Sequence, residues 1–188
     1  RKMDLKGKKV LVFGAGKSGI GAADLLGSVG AQPIIYDGNE NLDKEAVLHK
    51  TNGTYTPEIW AGAFPEGEME SLDLVVLSPG VPTDLPLVKS FYEKGLPVWS
   101  EVELAYRTGK GEVLAITGTN GKTTTTALLG KIMGDARESV FVVGNIGTAY
   151  TSKSLEMRED SVTVAEISSF QLETIEQFRP KVSAILNI

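Results

Sequence analysis

Short apolar runs and helical patterns alternate along the whole chain. The apolar runs are rich in valine, isoleucine and leucine, which is typical of strands buried on both faces of a parallel sheet. Between them, apolar residues recur three or four positions apart, which predicts helices that cover the sheet. The sequence therefore predicts an α/β fold with mostly parallel sheets. We expect strands over 9–13, 33–36, 74–77, 97–99, 113–116, 162–165 and 181–188, and helices over 18–29, 42–49, 85–94 and 101–107. Segment 52–70 has weak periodicity, and we expect mainly loop and short pieces there.

A polar, glycine-rich joint, Thr108-Gly-Lys-Gly-Glu112, divides this pattern into two parts. One set of βαβ-type units precedes the joint and a second set begins after it. We therefore predict two domains, residues 1–110 and 111–188, and we expect the second to be only the first part of a longer domain. That last expectation arises because the apolar run 181–188 reads as a buried strand with nothing after it.

Composition narrows the classes of function. The 188 residues carry a net charge of -5 and contain no basic run, which argues against nucleic acid as the main partner. No apolar stretch approaches the roughly 18 residues of a membrane span, and no secretory signal is recognisable. Cysteine is absent, so disulfides and thiolate sites are excluded. We expect a cytoplasmic, monomeric protein that acts on small molecules and not on membranes.

The strongest chemical signal is the segment Val113-Leu-Ala-Ile-Thr-Gly-Thr-Asn-Gly-Lys-Thr-Thr-Thr-Thr126. A strand pattern runs into a glycine-rich turn, and Lys122 and Thr123 open a helical pattern. This order brings backbone N–H groups, a helix N-terminus and an ammonium group to phosphate oxygens, while a hydroxyl can ligate Mg²⁺. The general motif would have glycine at Ile116, so a chance helix cap is the alternative. We predict an ATP or GTP site at Gly118, Thr119, Asn120, Gly121, Lys122, Thr123 and Thr124.

A second glycine loop, Gly14-Ala-Gly-Lys-Ser-Gly19, joins the first predicted strand to the first helix. Its spacing permits a diphosphate to approach the helix N-terminus, and Asp37 lies where a carboxylate meets a ribose or base in Rossmann-like folds. Three interpretations are open: a nicotinamide-dependent dehydrogenase, a packing turn without a ligand, and a site for a nucleotide-diphosphate substrate. Hydride transfer needs no ATP-type loop, and the first domain ends before six strands can form.

The segment Ser78-Pro-Gly-Val-Pro82 follows the predicted strand 74–77. In an open parallel sheet this is the edge at which ligands bind. The prolines stiffen the loop, and Gly80 lets the backbone approach a ligand. A plain turn explains the Pro-Gly pair equally well.

Taken together, these segments resemble the Mur ligase family. The matching strings are GAGKSG at 14–19, SPGVP at 78–82, TGTNGKTTTT at 117–126 and GNIG at 144–147. The most telling are Ala165-Glu-Ile-Ser-Ser-Phe-Gln-Leu-Glu173 and Pro180-Lys-Val-Ser-Ala-Ile-Leu-Asn187, which are similar to the branch that adds D-glutamate. The resemblance covers essentially the whole chain, but well under half of such an enzyme. It implies a Rossmann-like domain for a UDP substrate followed by the beginning of a phosphate-loop ATPase domain.

The resemblance also implies an activity and a role for each matching residue. The family's chemistry would be ATP- and Mg²⁺-dependent addition of D-glutamate to UDP-N-acetylmuramoyl-L-alanine through an acyl phosphate, in peptidoglycan synthesis. Lys122 and Glu166 would be catalytic, and Thr123 and Glu166 would ligate Mg²⁺. The substrate-binding residues would be Gly16, Lys17, Ser18, Asp37, Ser78, Pro79, Gly80, Asn145, Ser168 and Gln171.

Several of these roles have structural alternatives. The structural alternative for Glu166 is an acid near the start of a helix capped by Ser168 or Ser169. Gln171 reads as a solvated helix residue, and Asn145 as a turn residue with left-handed backbone.

The function also has alternatives. Another ligase of the superfamily, such as folylpolyglutamate synthase, is the nearest, and a nucleotide sensor without turnover belongs to a different class.

The family's second-metal ligands, a histidine and a carbamylated lysine, have no counterpart here. We therefore expect these 188 residues alone to be inactive.

Overall fold

The computed structural model describes residues 4–144 and 147–188. The chain divides between Glu101 and Val102 into two compact units, each with its own parallel sheet. The prediction of an α/β fold with parallel sheets is confirmed.

The first unit contains a five-stranded sheet in the order β3-β2-β1-β4-β5, with every pair of neighbours parallel. The order reverses direction at β1, which is the arrangement that Rossmann-like folds use to open a ligand crevice at the carboxyl ends of their strands. The elements are β1 Lys9–Phe13, α1 Lys17–Ser28, β2 Gln32–Asp37, α2 Lys44–Lys50, β3 Glu58–Ala61, β4 Leu74–Leu77, α3 Pro86–Glu93 and β5 Val98–Ser100, with a 3-10 turn at Glu68–Ser71.

The second unit contains a four-stranded parallel sheet in the order β7-β8-β6-β9. Strand β8 lies at its centre and is buried along its whole length. The elements are α4 Glu101–Thr108, β6 Glu112–Thr117, α5 Lys122–Ala136, β7 Val140–Gly144, α6 Tyr150–Lys153, β8 Val162–Glu166, α7 Ser169–Leu172 and β9 Val182–Ile185, with a 3-10 turn at Ser154–Glu156.

Two strands lie where the sequence pattern did not predict them. Strand β3 falls inside segment 52–70, where the pattern indicated mainly loop and short pieces but no strand. Its four residues alternate too weakly to indicate a strand, and they are ordered by pairing with β2 and by packing of Trp60 against Phe64, with ring centroids 5.6 Å apart. Strand β7 pairs with β8 in a segment to which the sequence analysis assigned no element.

Helix α4 also differs from the expectation, because it groups with the second unit. The two units divide after its first residue, Glu101, whereas the predicted joint near residue 110 lies after the whole helix. The reason is visible in its packing: Val102, Ala105 and Tyr106 are buried in one cluster with Val113 and Phe178.

Candidate functional site

The predicted phosphate loop joins β6 to α5 in the second unit. Gly118 has φ +139° and Gly121 has φ +82°, conformations that side chains with a Cβ rarely adopt. Gly121 is the residue before the first turn of α5, whose opening N–H groups have no acceptor within the helix. The two glycines therefore turn the chain sharply enough to point a helix N-terminus at the space above the sheet.

Lys122 lies over this loop. Its Nζ donates hydrogen bonds to the carbonyl oxygens of Gly118, at 2.6 Å, and Thr119, at 3.2 Å. The ammonium group thus stands beside the N-terminus of α5, where a phosphate chain bound by the loop would meet it.

Thr123 and Glu166 meet although they come from different elements. The Thr123 hydroxyl donates a hydrogen bond of 2.9 Å to Glu166 Oε2. Glu166 is the last residue of β8, opposite Ile116 in β6, and only 4% of its surface is exposed. Gly144 makes room for it on the other side, because a Cβ at 144 would lie 2.5 Å from the Glu166 Cβ.

These two oxygen donors fit a bound Mg²⁺. Among the residues that the structure describes, no cluster of three or more His, Cys, Asp or Glu side chains could hold a metal ion. Mg²⁺ does not need such a cluster, because it commonly takes one or two protein oxygens and completes its shell with water and substrate phosphates. A hydroxyl and a carboxylate beside a phosphate loop are that kind of partial site.

Ser168 and Gln171 form a reciprocal cap at the start of α7. The Ser168 hydroxyl accepts a 3.4 Å hydrogen bond from Gln171 N, and Gln171 Oε1 accepts one of 2.9 Å from Ser168 N. Gln171 is buried, so it is not the solvated helix residue that the alternative interpretation described. The cap gives both residues a structural role, and their predicted contact with substrate stays a prediction.

Asn145, the remaining substrate residue predicted in this unit, lies outside the described residues. Four of the predicted residues line an open depression of about 500 Å³, which Phe170 also lines: Gly118, Thr119, Lys122 and Ser168. Asn187, to which the sequence analysis gave no role, also lines it.

The first unit brings its predicted residues to one sheet edge. Strands β2, β1 and β4 are neighbours in the sheet. Asp37 is the last residue of β2, the glycine loop follows β1, and the Ser78 loop follows β4. Lys17 and Gly80 are exposed there, and Ser18 and Pro79 are half-buried. This edge is where an open parallel sheet binds its ligand.

The glycine loop is tightly packed at two positions and open at a third. A Cβ at Gly19 would lie 1.8 Å from the Gly14 carbonyl oxygen, and one at Gly14 would lie 2.8 Å from the Ser78 side chain. A Cβ at Gly16 would meet nothing within 4 Å. Gly14 and Gly19 are therefore required for packing, whereas Gly16 leaves space for a ligand beside the backbone.

Asp37 stabilises the glycine loop by hydrogen bonding to its backbone. Its Oδ2 accepts a 3.1 Å hydrogen bond from Ala15 N, and its Oδ1 accepts one of 3.0 Å from Asn39 N. Each carboxylate oxygen has a second lone pair, so these bonds leave acceptor capacity for a ribose hydroxyl.

Glu101 is a residue of this unit that the sequence analysis missed. Its Oε1 accepts a 3.4 Å hydrogen bond from the Ser78 hydroxyl, and the side chain is almost fully buried. Burial raises the pKa of Glu101 to about 8, although the bond from Ser78 opposes the shift. A glutamate at the first position of a predicted helix carries no sign of burial in sequence, so only its neighbours in the structure reveal it.

Comparison with known proteins places both units in one family. Residues 8–100 match the family model described as "Mur ligase MurD-like, N-terminal domain", and residues 116–188 match "Mur ligase middle domain". Two relatives named UDP-N-acetylmuramoylalanine--D-glutamate ligase, from Lachnospira eligens and Clostridioides difficile, are 60% and 44% identical over 99% of this chain. The chain spans 41% of the length of each.

Solved structures agree on the fold. A Neisseria meningitides UDP-N-acetylmuramate:L-alanyl-gamma-D-glutamyl-meso-diaminopimelate ligase aligns with a TM-score of 0.55 at 17% identity, covering 96% of this chain and 60% of its own. A murein peptide ligase from Psychrobacter arcticus aligns with a TM-score of 0.50 at 20% identity, covering 86% of this chain and 37% of its own. At these identities the likeness concerns the fold alone. No helix among the described residues is long and apolar enough to cross a membrane.

Proposed function

The chain belongs to the Mur ligase family, and on that premise we propose that it forms the first two parts of an ATP-dependent ligase. The proposed reaction joins D-glutamate to the carboxyl group of UDP-N-acetylmuramoyl-L-alanine. The substrate carboxylate attacks the γ-phosphorus of ATP, and ADP leaves. The amine of D-glutamate then attacks the carbonyl carbon of the acyl phosphate, and inorganic phosphate leaves as the nitrogen loses a proton and the amide forms.

The observation that best supports this proposal is the hydrogen bond between Thr123 and Glu166, next to Lys122. A hydroxyl and a carboxylate 2.9 Å apart, next to a helix N-terminus and an ammonium group, form a site for a phosphate chain and its cation. Mg²⁺ bound there would neutralise charge on the phosphate oxygens. Lys122 would hold the β- and γ-phosphates and stabilise the charge that develops as the phosphoryl group moves.

The first unit would hold the UDP portion of the substrate. Gly16 leaves the loop backbone open at the N-terminus of α1, which favours the diphosphate. Asp37 lies at the end of the neighbouring strand, where its remaining acceptor capacity suits the nucleoside. This assignment replaces the dehydrogenase interpretation of the same motif, since the matching family model describes a ligase domain.

We propose D-glutamate as the amino acid because of the activity after which the relatives are named. Those at 44% to 60% identity carry the name of the D-glutamate ligase over nearly the whole chain. The predicted cytoplasmic location and monomeric state go with this proposal and remain predictions.

The test is phosphate release by the intact protein with ATP, Mg²⁺ and UDP-N-acetylmuramoyl-L-alanine. D-glutamate, L-glutamate and L-lysine would be supplied in turn, with formation of the amide followed by mass spectrometry. Release that depends on D-glutamate supports the proposal. Release with another amino acid keeps the ligase chemistry and changes the substrate, and absence of release with all three overturns it.

A further inference from the structure

Asn187 makes three hydrogen bonds to the phosphate loop through its side chain. Its Oδ1 accepts from Thr119 N at 2.8 Å and from Asn120 N at 2.9 Å. Its Nδ2 donates to the carbonyl oxygen of Asn120 at 3.1 Å. One side chain, more than sixty residues away along the chain, therefore holds three consecutive peptide groups of the loop.

Sheet pairing puts Asn187 in this place. Strand β9 runs parallel to β6, with Ile185 opposite Thr117, and Leu186 N donates to Thr117 O at 2.9 Å. The next residue after Leu186 therefore lies beside the first residues of the loop. Gly118 permits this approach, because a Cβ there would lie 3.2 Å from both the backbone nitrogen and the carbonyl oxygen of Asn187.

The hydrogen bonds to Asn187 also determine which backbone amides of the loop are free to bind a phosphate. An asparagine Oδ1 has two lone pairs, and here both are used by Thr119 and Asn120. Those two amides consequently point at Asn187. The amides of the first turn of α5, from Lys122 onward, have no acceptor within the helix.

We propose that Asn187 is a positioning residue of the nucleotide site, which sets the backbone of Thr119 and Asn120 so that the first turn of α5 and Lys122 face the phosphates. This inference rests on the proposed function, because it takes the loop to bind ATP. Asn187 itself does not contact the nucleotide through Oδ1. Its effect on ATP passes through the loop conformation.

Hydrogen exchange in the intact, nucleotide-free protein tests the first half of the proposal. Thr119 and Asn120 are exposed residues, so protection of their amides depends on Asn187. In Asn187→Ala we expect their exchange to become about tenfold faster or more, since each amide loses its acceptor. Asn187→Asp keeps an acceptor oxygen and should retain most of the protection. Ser183→Ala, at an exposed position of the strand β9 that precedes Asn187, is the matched control.

Binding of MgATP tests the second half. We expect the dissociation constant to rise about tenfold in Asn187→Ala, while UDP binding stays at the wild-type value. If the alanine variant does not fold, Asn187→Ser serves instead, because its short hydroxyl cannot reach both amides.

The proposal is overturned by unchanged exchange at Thr119 and Asn120, or by faster exchange with unchanged MgATP affinity. Failure of the proposed function gives a different result, namely a wild-type protein that shows protected amides but binds no MgATP.

Discussion

The Thr123 hydroxyl donates a 2.9 Å hydrogen bond to the Glu166 carboxylate across 43 residues of chain. One group opens α5 and the other ends β8, so the contact exists only because β6 and β8 are neighbours in a parallel sheet. That register places the carboxyl ends of β6 and β8 at the same edge, which is the edge where open parallel sheets bind ligands. The consequences for activity and stability can be tested residue by residue.

Replacing Lys122 should abolish most of the activity. We expect phosphate release by Lys122→Ala to fall by roughly 10²- to 10³-fold, because a donor that stabilises developing charge is lost. The measurement is D-glutamate-dependent phosphate release by the intact protein. Lys131→Ala, an exposed lysine on the same helix, should retain wild-type activity. Equal losses in the two variants would contradict a specific role for Lys122.

Glu166→Gln should change the Mg²⁺ requirement. The amide oxygen can still accept from Thr123, so the fold is kept while the negative charge is removed. We expect the Mg²⁺ concentration for half-maximal activity to rise on the order of tenfold or more. Titration of activity with Mg²⁺ measures this, with Glu138→Gln as an exposed control in the same unit. An unchanged titration would remove Glu166 from the metal site.

Two glycines of the first loop should respond differently to alanine. Gly19→Ala places a methyl group 1.8 Å from the Gly14 carbonyl oxygen, so we expect a loss of about 1–3 kcal/mol in stability from overpacking. Gly16→Ala meets no neighbour, so the unit should stay folded while UDP binding weakens. Thermal unfolding and UDP titration separate the two effects. UDP binding by Gly16→Ala at the wild-type affinity would argue against the proposed diphosphate position.

The buried acid Glu101 should make the first unit less stable as pH rises. Its pKa in the folded protein is raised to about 8, whereas in the unfolded chain it titrates near the usual value of 4.5. Between these values the unfolded state has released the proton and the folded state holds it, so unfolding becomes more favourable with increasing pH. We expect Glu101→Gln to remove this slope between pH 4.5 and 8, measured by urea unfolding across that range. Parallel slopes in the variant and the wild type would assign the dependence to other groups.

Glu103 should be far more important to stability than the other carboxylate bound to Arg107. It is fully buried, bonds Arg107 at 2.6 Å and accepts from the backbone nitrogens of Glu176, Gln177 and Phe178. Burial alone would raise the pKa of Glu103, but these donors together hold it below its ordinary value.

We expect Glu103→Ala to cost about 3–5 kcal/mol, because it leaves three backbone donors without their acceptor and removes one of the two carboxylates paired with the buried Arg107. Glu176→Ala removes a carboxylate that is 49% exposed and should cost about 1 kcal/mol or less. Chemical unfolding of the two variants provides the comparison. Similar losses would show that the Glu103 network does not anchor the segment before β9.

Local pattern by itself determined the strand–loop–helix order around both glycine loops. Strand β4 has the predicted bounds, and β1 does as well, since continuous β-branched runs signal buried parallel strands without reference to the rest of the chain. Glycine spacing and the Lys122-Thr123 pair likewise indicated phosphate binding, because that chemistry depends on consecutive residues.

Features that depend on pairing between segments distant in sequence were decided only by the tertiary structure. Strand β3 exists through its partner β2 and aromatic packing, neither of which its own four residues signal. The burial of Glu101 and the hydrogen bonds from Asn187 to the phosphate loop depend on groups that are distant in sequence. Such contacts are set by strand order and register, and a residue's type and immediate neighbours do not encode these.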